Sequence, residues 1–221
     1  MPEPVPGPKV VSVSPERLER WLTGFTDRHG AVEYDATAEV VTARAADGAI
    51  ARCRVPFPPL SVDDAEPAEA ALVRHALAKR RVGVVLVRRG GYAAGVFEGS
   101  RLIVSKVGSR HVQGRTAAGG QSQQRFARRR EKQSREAFEA AADVAARVVL
   151  PHASSLDAVV VGGDRSAVAE VFADRRLAAL SALVRPPHLA VPDPRLAVLR
   201  STPDQFRSVE ITLTEPSTAP G

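Results

Sequence analysis

VGVVLVRRGGYAAGVFEGSRLIVSKV, residues 82–107, decides how the second half of this chain folds. Three short apolar runs, VGVVLV (82–87), YAAGVF (92–97) and RLIVSKV (101–107), are separated by Gly90-Gly91 and Glu98-Gly99. Runs of this length, rich in Val and bounded by glycine turns, read as consecutive strands. A glycine-rich loop follows, Gly108 to Gly120, and then a helix predicted from about Ser122 to Val149. Phe126, Phe138, Ala142 and Ala145 fall on its candidate apolar positions, and Pro151 stops it. At its rise per residue this helix is roughly 40 Å long. LDAVVVGG (156–163) reads as a buried strand and 165–173 as a helix; a further strand–helix alternation ends in VEITLT (209–214). The mixture predicts an α/β (α+β) domain with a mixed β-sheet flanked by helices.

Upstream the rhythm differs. Ser14-Pro15 opens a helix, with Ser as N-cap and Pro at the first helical position. Leu18, Trp21, Leu22 and Phe25 recur at spacings of three and four, and Gly30 is placed as a C-cap. Residues 32–45 and 49–55 read as two strands around the turn pair Asp47-Gly48. A polar, proline-containing link (61–69) leads into a helix from about Pro67 to Arg80. The expected organisation is a disordered tail (1–8), a small N-terminal α/β segment of helix plus hairpin (9–79), a main domain (80–214) and a second disordered tail (215–221).

The chain has 221 residues, 44% hydrophobic and 25% charged, enough for a real core. It has no apolar run long enough for a membrane span and no signal-peptide core at MPEPVPGPKV. The cytoplasm is the expected compartment. A single cysteine, Cys53, excludes an intramolecular disulfide and reads as a half-buried strand residue. The net charge of +6 is unevenly spread: between Arg101 and Arg135 ten Lys or Arg face one acid, Glu131. That window carries +9 and leaves −3 for the rest, so the basic excess sits in one segment and points to a polyanionic partner.

Few residues offer chemistry. VVVGGDRS (159–166) has the shape of a phosphate-cradling strand–glycine–helix turn, but lacks the Lys-Ser/Thr of a P-loop and the spaced glycines of a dinucleotide fingerprint. It is read as an ordinary turn with Asp164 as N-cap. His29, His75, His111, His152 and His188 show no paired metal spacing, and neither a metal nor a cofactor is expected. No catalytic carboxylate pair stands out. What remains is Gly119-Gly120-Gln121, preceded by Arg110, His111 and Arg115 and followed by Arg125, Arg128, Arg129 and Arg130. Adjacent glycines let a backbone approach another molecule closely. Arginines at 125, 128 and 129 recur at helical spacing and share a face. A bare loop on a helix that grips phosphate can deliver a small group into an RNA-walled cavity.

These residues resemble the catalytic domain of the eukaryotic and archaeal class I release factors, in which a glycine-arginine pair precedes GGQS and an arginine–phenylalanine–alanine–arginine stretch follows on a long helix. Here they stand as Gly114-Arg115, Gly119-Gly120-Gln121-Ser122 and Arg125-Phe126-Ala127-Arg128. The resemblance covers roughly residues 80–214. Thr116, Ala117 and Ala118 lengthen the loop, and a separate codon-reading domain is not expected in this length. Both departures resemble the VLRF (Vms-like release factor) family of ribosome-associated quality control, in its compact actinobacterial peptidyl-tRNA hydrolase form.

The resemblance implies hydrolysis of the ester between nascent peptide and tRNA on the large ribosomal subunit, by a monomer. Gln121 would position the water, Gly119 and Gly120 would admit the backbone, and Arg110, His111, Arg115, Arg125, Arg128, Arg129 and Arg130 would bind rRNA or tRNA. The chemistry of the residues fits, because a glutamine amide is no general base but both donates and accepts hydrogen bonds. The alternative is a ribosome- or RNA-binding factor that uses the same basic helix without hydrolysis.

Overall fold

The computed structural model describes residues 7–63, 65–88, 90–109 and 121–216, with side chains of the long helix described from Gln133 onward. In chain order the elements are β1 (Lys9–Val13), α1 (Pro15–His29), β2 (Val32–Ala36), β3 (Val40–Ala45), β4 (Ile50–Arg54), α2 (Ala68–Leu77), β5 (Arg81–Arg88), β6 (Gly91–Glu98) and β7 (Arg101–Ser109). There follow α3 (Gln121–Val148), β8 (Ala158–Gly163), α4 (Arg165–Phe172), α5 (Ala178–Ser181), α6 (Leu196–Ser201), α7 (Pro203–Phe206) and β9 (Val209–Thr214). The chain divides into two compact units: residues up to Ala78 together with those from Arg207 on, and Lys79–Phe206.

The first unit is a five-stranded antiparallel sheet of order β1-β9-β4-β3-β2. Its strands alternate as a half-buried sheet requires: Val41, Ala43 and Ala45 of β3, and Ile211 and Leu213 of β9, are buried, while Arg44 and Glu210 are exposed. Leu18, Leu22 and Phe25 of α1 and Ala71, Leu72 and Ala76 of α2 join the same core. Pro15 starts α1, and Gly30, at φ 82°, closes it by donating its N–H to the Thr26 carbonyl at 2.9 Å. Cys53 is buried in this core, and burial pushes its thiol up to about 12.

Three expectations change here. The predicted strand 32–45 is two strands, because the Thr37 hydroxyl accepts the N–H groups of Glu39 and Val40 and folds the chain back. Strand β1 was not anticipated. VEITLT, expected among the strands of the second half, lies between β1 and β4 in the sheet of the first unit. Its alternation buries Val209, Ile211 and Leu213 on the one covered face of this sheet. In the second unit's sheet β5, β6 and β8 are largely buried on both faces, and such a strand reads as a continuous apolar run.

This second sheet has the order β7-β6-β5-β8, with β5 and β8 parallel and the other pairs antiparallel. From Val82 to Val87 every residue of β5 is buried. Val85, Val87, Ala94, Val96, Val159 and Val161 face α3 and α4. Behind them, Leu199 of α6 lies against Gly95, and Phe206 makes an edge contact with Phe97 at 5.8 Å. A Cβ on Gly83 would meet Val149 at 2.6 Å, so this glycine lets the end of α3 descend onto the sheet. No helix of the described residues is long and apolar enough to cross a membrane.

Candidate active site

Helix α3 dominates the second unit. Its 28 residues span roughly 42 Å at 1.5 Å per residue. Among the described side chains, its apolar stripe is C-terminal: Ala137, Ala141, Ala142, Val144, Ala145 and Val148 are buried on the sheet. Small side chains let the helix approach closely, and Pro151 ends it in a 3₁₀ segment, Leu150–Ser155. On its outer side Asp143 meets the Arg176 guanidinium at 2.8 Å, and Arg176 also binds Asp174 at 2.6 Å. These two carboxylates raise the Arg176 pKa, Asp174 being the larger influence. A surface pair of this kind adds little stability by itself, but it fixes α3 to the turn before Leu177.

Gln121 is the first residue of that helix. Strand β7, at the sheet's edge, ends at Ser109, so the segment 110–120 lies in sequence between the β6–β7 hairpin and the head of the long helix. The base of this connection is built tightly. Gly91 pairs with Ser109 and Tyr92 with Gly108. A Cβ at Gly108 would sit 2.5 Å from the Tyr92 ring, so only glycine allows Tyr92 to lie across the strand there. Tyr92 packs against the core that holds α3. Nothing in the sequence pattern singled out Tyr92; a glycine near the end of β7 was its one trace.

Gly119, Gly120, Arg110, His111 and Arg115 lie outside the described residues. Arg125, Arg128, Arg129 and Arg130 stand on the backbone of α3, and their side chains also lie outside the described residues. One helix therefore carries Gln121 and all four of these arginines.

The glycine turn at 162–163 has a purely structural explanation. Gly163 has φ 95°, and a Cβ there would drive into the Val87 carbonyl oxygen; one on Gly162 would meet Leu189 at 2.7 Å. Asp164 is the N-cap of α4 without a side-chain cap bond, and lies 3.5 Å from Arg88, whose Nη1 donates to the Val191 carbonyl at 3.1 Å. His188 Nε2 is 2.9 Å from the Gly163 carbonyl oxygen. Among the described residues no three His, Cys, Asp or Glu side chains are grouped to hold a metal ion.

The second unit is thus an α+β domain, a mixed sheet backed by one long helix, and the family comparison places it among release factors. The chain belongs to the actinobacterial and chloroflexi VLRF1 release factor family, acVLRF1, whose model matches residues 80–212. Among curated proteins none matches it in sequence. Solved structures similar to it include the archaeal translation termination factor aRF1, at 17% identity and a TM-score of 0.44, over 75% of this chain and 51% of that one. This chain thus spans about half the length of the archaeal factor. The Vms1 mitochondrial localization core is 9% identical with a TM-score of 0.41, over 88% of this chain and 80% of that one. Dom34 of S. cerevisiae, described as a translation termination-like factor, is 10% identical with a TM-score of 0.34, over 89% and 63%.

Proposed function

We propose that this protein is a peptidyl-tRNA hydrolase that frees nascent peptides from tRNA on stalled ribosomes or large subunits. The observation that carries this reading is the position of Gln121, at the first residue of a long helix whose far end is anchored in the domain core. The first N–H groups of a helix have no intrahelical acceptor, and the helix dipole is positive there. The Gln121 N–H is thus available to stabilise a developing oxyanion or the leaving ribose oxygen. Its amide side chain orients a water, donating to one partner and accepting from another. Orientation alone lowers the barrier by removing translational and rotational freedom from the water. Gly119 and Gly120 admit the backbone to the RNA, and Arg110, His111, Arg115, Arg125, Arg128, Arg129 and Arg130 hold rRNA or tRNA phosphate.

The ester carbonyl carbon accepts the water oxygen, the ribose oxygen leaves with one of the water's protons, and the peptide departs as its carboxylate once the other proton has passed to solvent. Most of the surrounding site is RNA. The test is to incubate the purified protein with stalled ribosome–nascent-chain complexes and measure peptide freed from tRNA. Binding to ribosomes without release would replace this reading with a non-hydrolytic factor.

A further inference from the structure

In the first unit a groove of about 720 Å³ opens between α1, α2 and the edge strand β2. Its volume lies within the range of ligand sites. The walls are helical rows. Ala70, Val73 and Leu77 of α2 recur at spacings of three and four, as do Glu19, Leu22 and Thr26 of α1. Val32 and Tyr34 of β2 complete the lining. On α2 this row runs beside the core-building one of Ala71, Leu72 and Ala76, and its Val73 also packs against that core. It is a second apolar stripe, and Leu77 is left 46% exposed within it.

The charge in the groove is predominantly negative. Glu19, Asp27 and Glu69 line it. The one cation among the lining residues, Arg74, is bound by both carboxylate oxygens of Glu66, with Nη2 2.7 Å from Oε2 and Nε 2.9 Å from Oε1. An acidic groove on a chain of net charge +6 repels nucleic acid and selects a cationic partner. Two helical walls with an apolar floor take a third helix by ridge-into-groove packing.

We propose that this groove is a docking site for an amphipathic helix of a partner protein, one with Lys or Arg flanking an apolar stripe. Apolar side chains of the helix fill the space over Leu22, Val73 and Leu77, and its cations meet Glu19, Asp27 and Glu69. This site is independent of Gln121 and of the proposed hydrolysis.

The probe is a fluorescein-labelled helical peptide of about 14 Leu and Lys residues, matched with one in which Glu replaces Lys and one in which Ser replaces Leu. Each is titrated with the full chain and followed by anisotropy. The Leu/Lys peptide is expected to bind at least about tenfold more tightly than either control. Glu69→Lys and Leu77→Ser should each weaken it about tenfold or more, with circular dichroism melts unchanged. Failure of the Leu/Lys peptide to bind, equal binding of the Leu/Glu or Lys/Ser peptide, or indifference to both substitutions would overturn the proposal. So would a chain dimer abolished by Leu77→Ser, which would make a second copy the occupant.

Discussion

Gln121 and Gly163 show two different uses of local backbone chemistry. Under the proposed mechanism Gln121→Ala removes the amide that orients the water but leaves the arginines that hold phosphate. Peptide release should fall by at least about two orders of magnitude, the scale of effect when a single positioning or oxyanion group is removed. Ribosome co-sedimentation should be unchanged. Release at the wild-type rate would sink the assignment of Gln121. Gly163, by contrast, answers to packing alone: φ 95° and the Val87 carbonyl leave no room for a Cβ. Gly163→Ala should therefore lower stability by about 2–4 kcal/mol in urea denaturation, through strain and displaced neighbours. The GG pair of VVVGGDRS was legible in the sequence as a turn. Its necessity was not, because it comes from Val87 and Leu189 on segments remote in the chain.

Helix α3 divides its length between two tasks. From Ala137 to Val148 one stripe of it, Ala137, Ala141, Ala142, Val144, Ala145 and Val148, is buried. Towards Gln121 its sequence is dominated by Arg and Gln. Periodicity located this helix within a residue at each end, since a basic segment followed by an apolar stripe at helical spacing has few other solutions. In the proposed reading Arg125, Arg128, Arg129 and Arg130 bind phosphate. Replacing two of them with Gln should weaken ribosome binding. The slope of log affinity against log salt should become shallower by about 0.7–0.9 for each phosphate that is no longer neutralised. A slope equal to that of the wild type in filter-binding titrations would leave these arginines as a solvated helix face.

At the scale of the molecule, every group assigned to the reaction lies on α3 or on the segment just before it, and all of it in the second unit. Under the proposed mechanism, release should then require only a site on the large subunit, whatever codon is displayed. The chain should free peptide at similar rates from complexes programmed with stop and with sense codons, and from isolated large subunits carrying peptidyl-tRNA. A strong stop-codon preference, with large-subunit complexes left intact, would return the protein to conventional termination.

The sequence by itself determined what depends on near neighbours along the chain. The β5–β7 strands follow from glycine-bounded apolar runs, α1 from Ser14-Pro15 and Gly30, α3 from its periodicity, and the candidate site from the residues around Gln121. Only the tertiary structure decided what depends on partners far apart in sequence. It paired β9 with β1 and β4, placed the turn at Thr37 through a side-chain hydrogen bond, and laid Tyr92 across Gly108. It also opened an acidic groove between α1 and α2, of which only the apolar face of α1 was legible. A helix's pattern shows that it has an apolar face, but the surface that face meets is set by chain segments its own sequence does not contain.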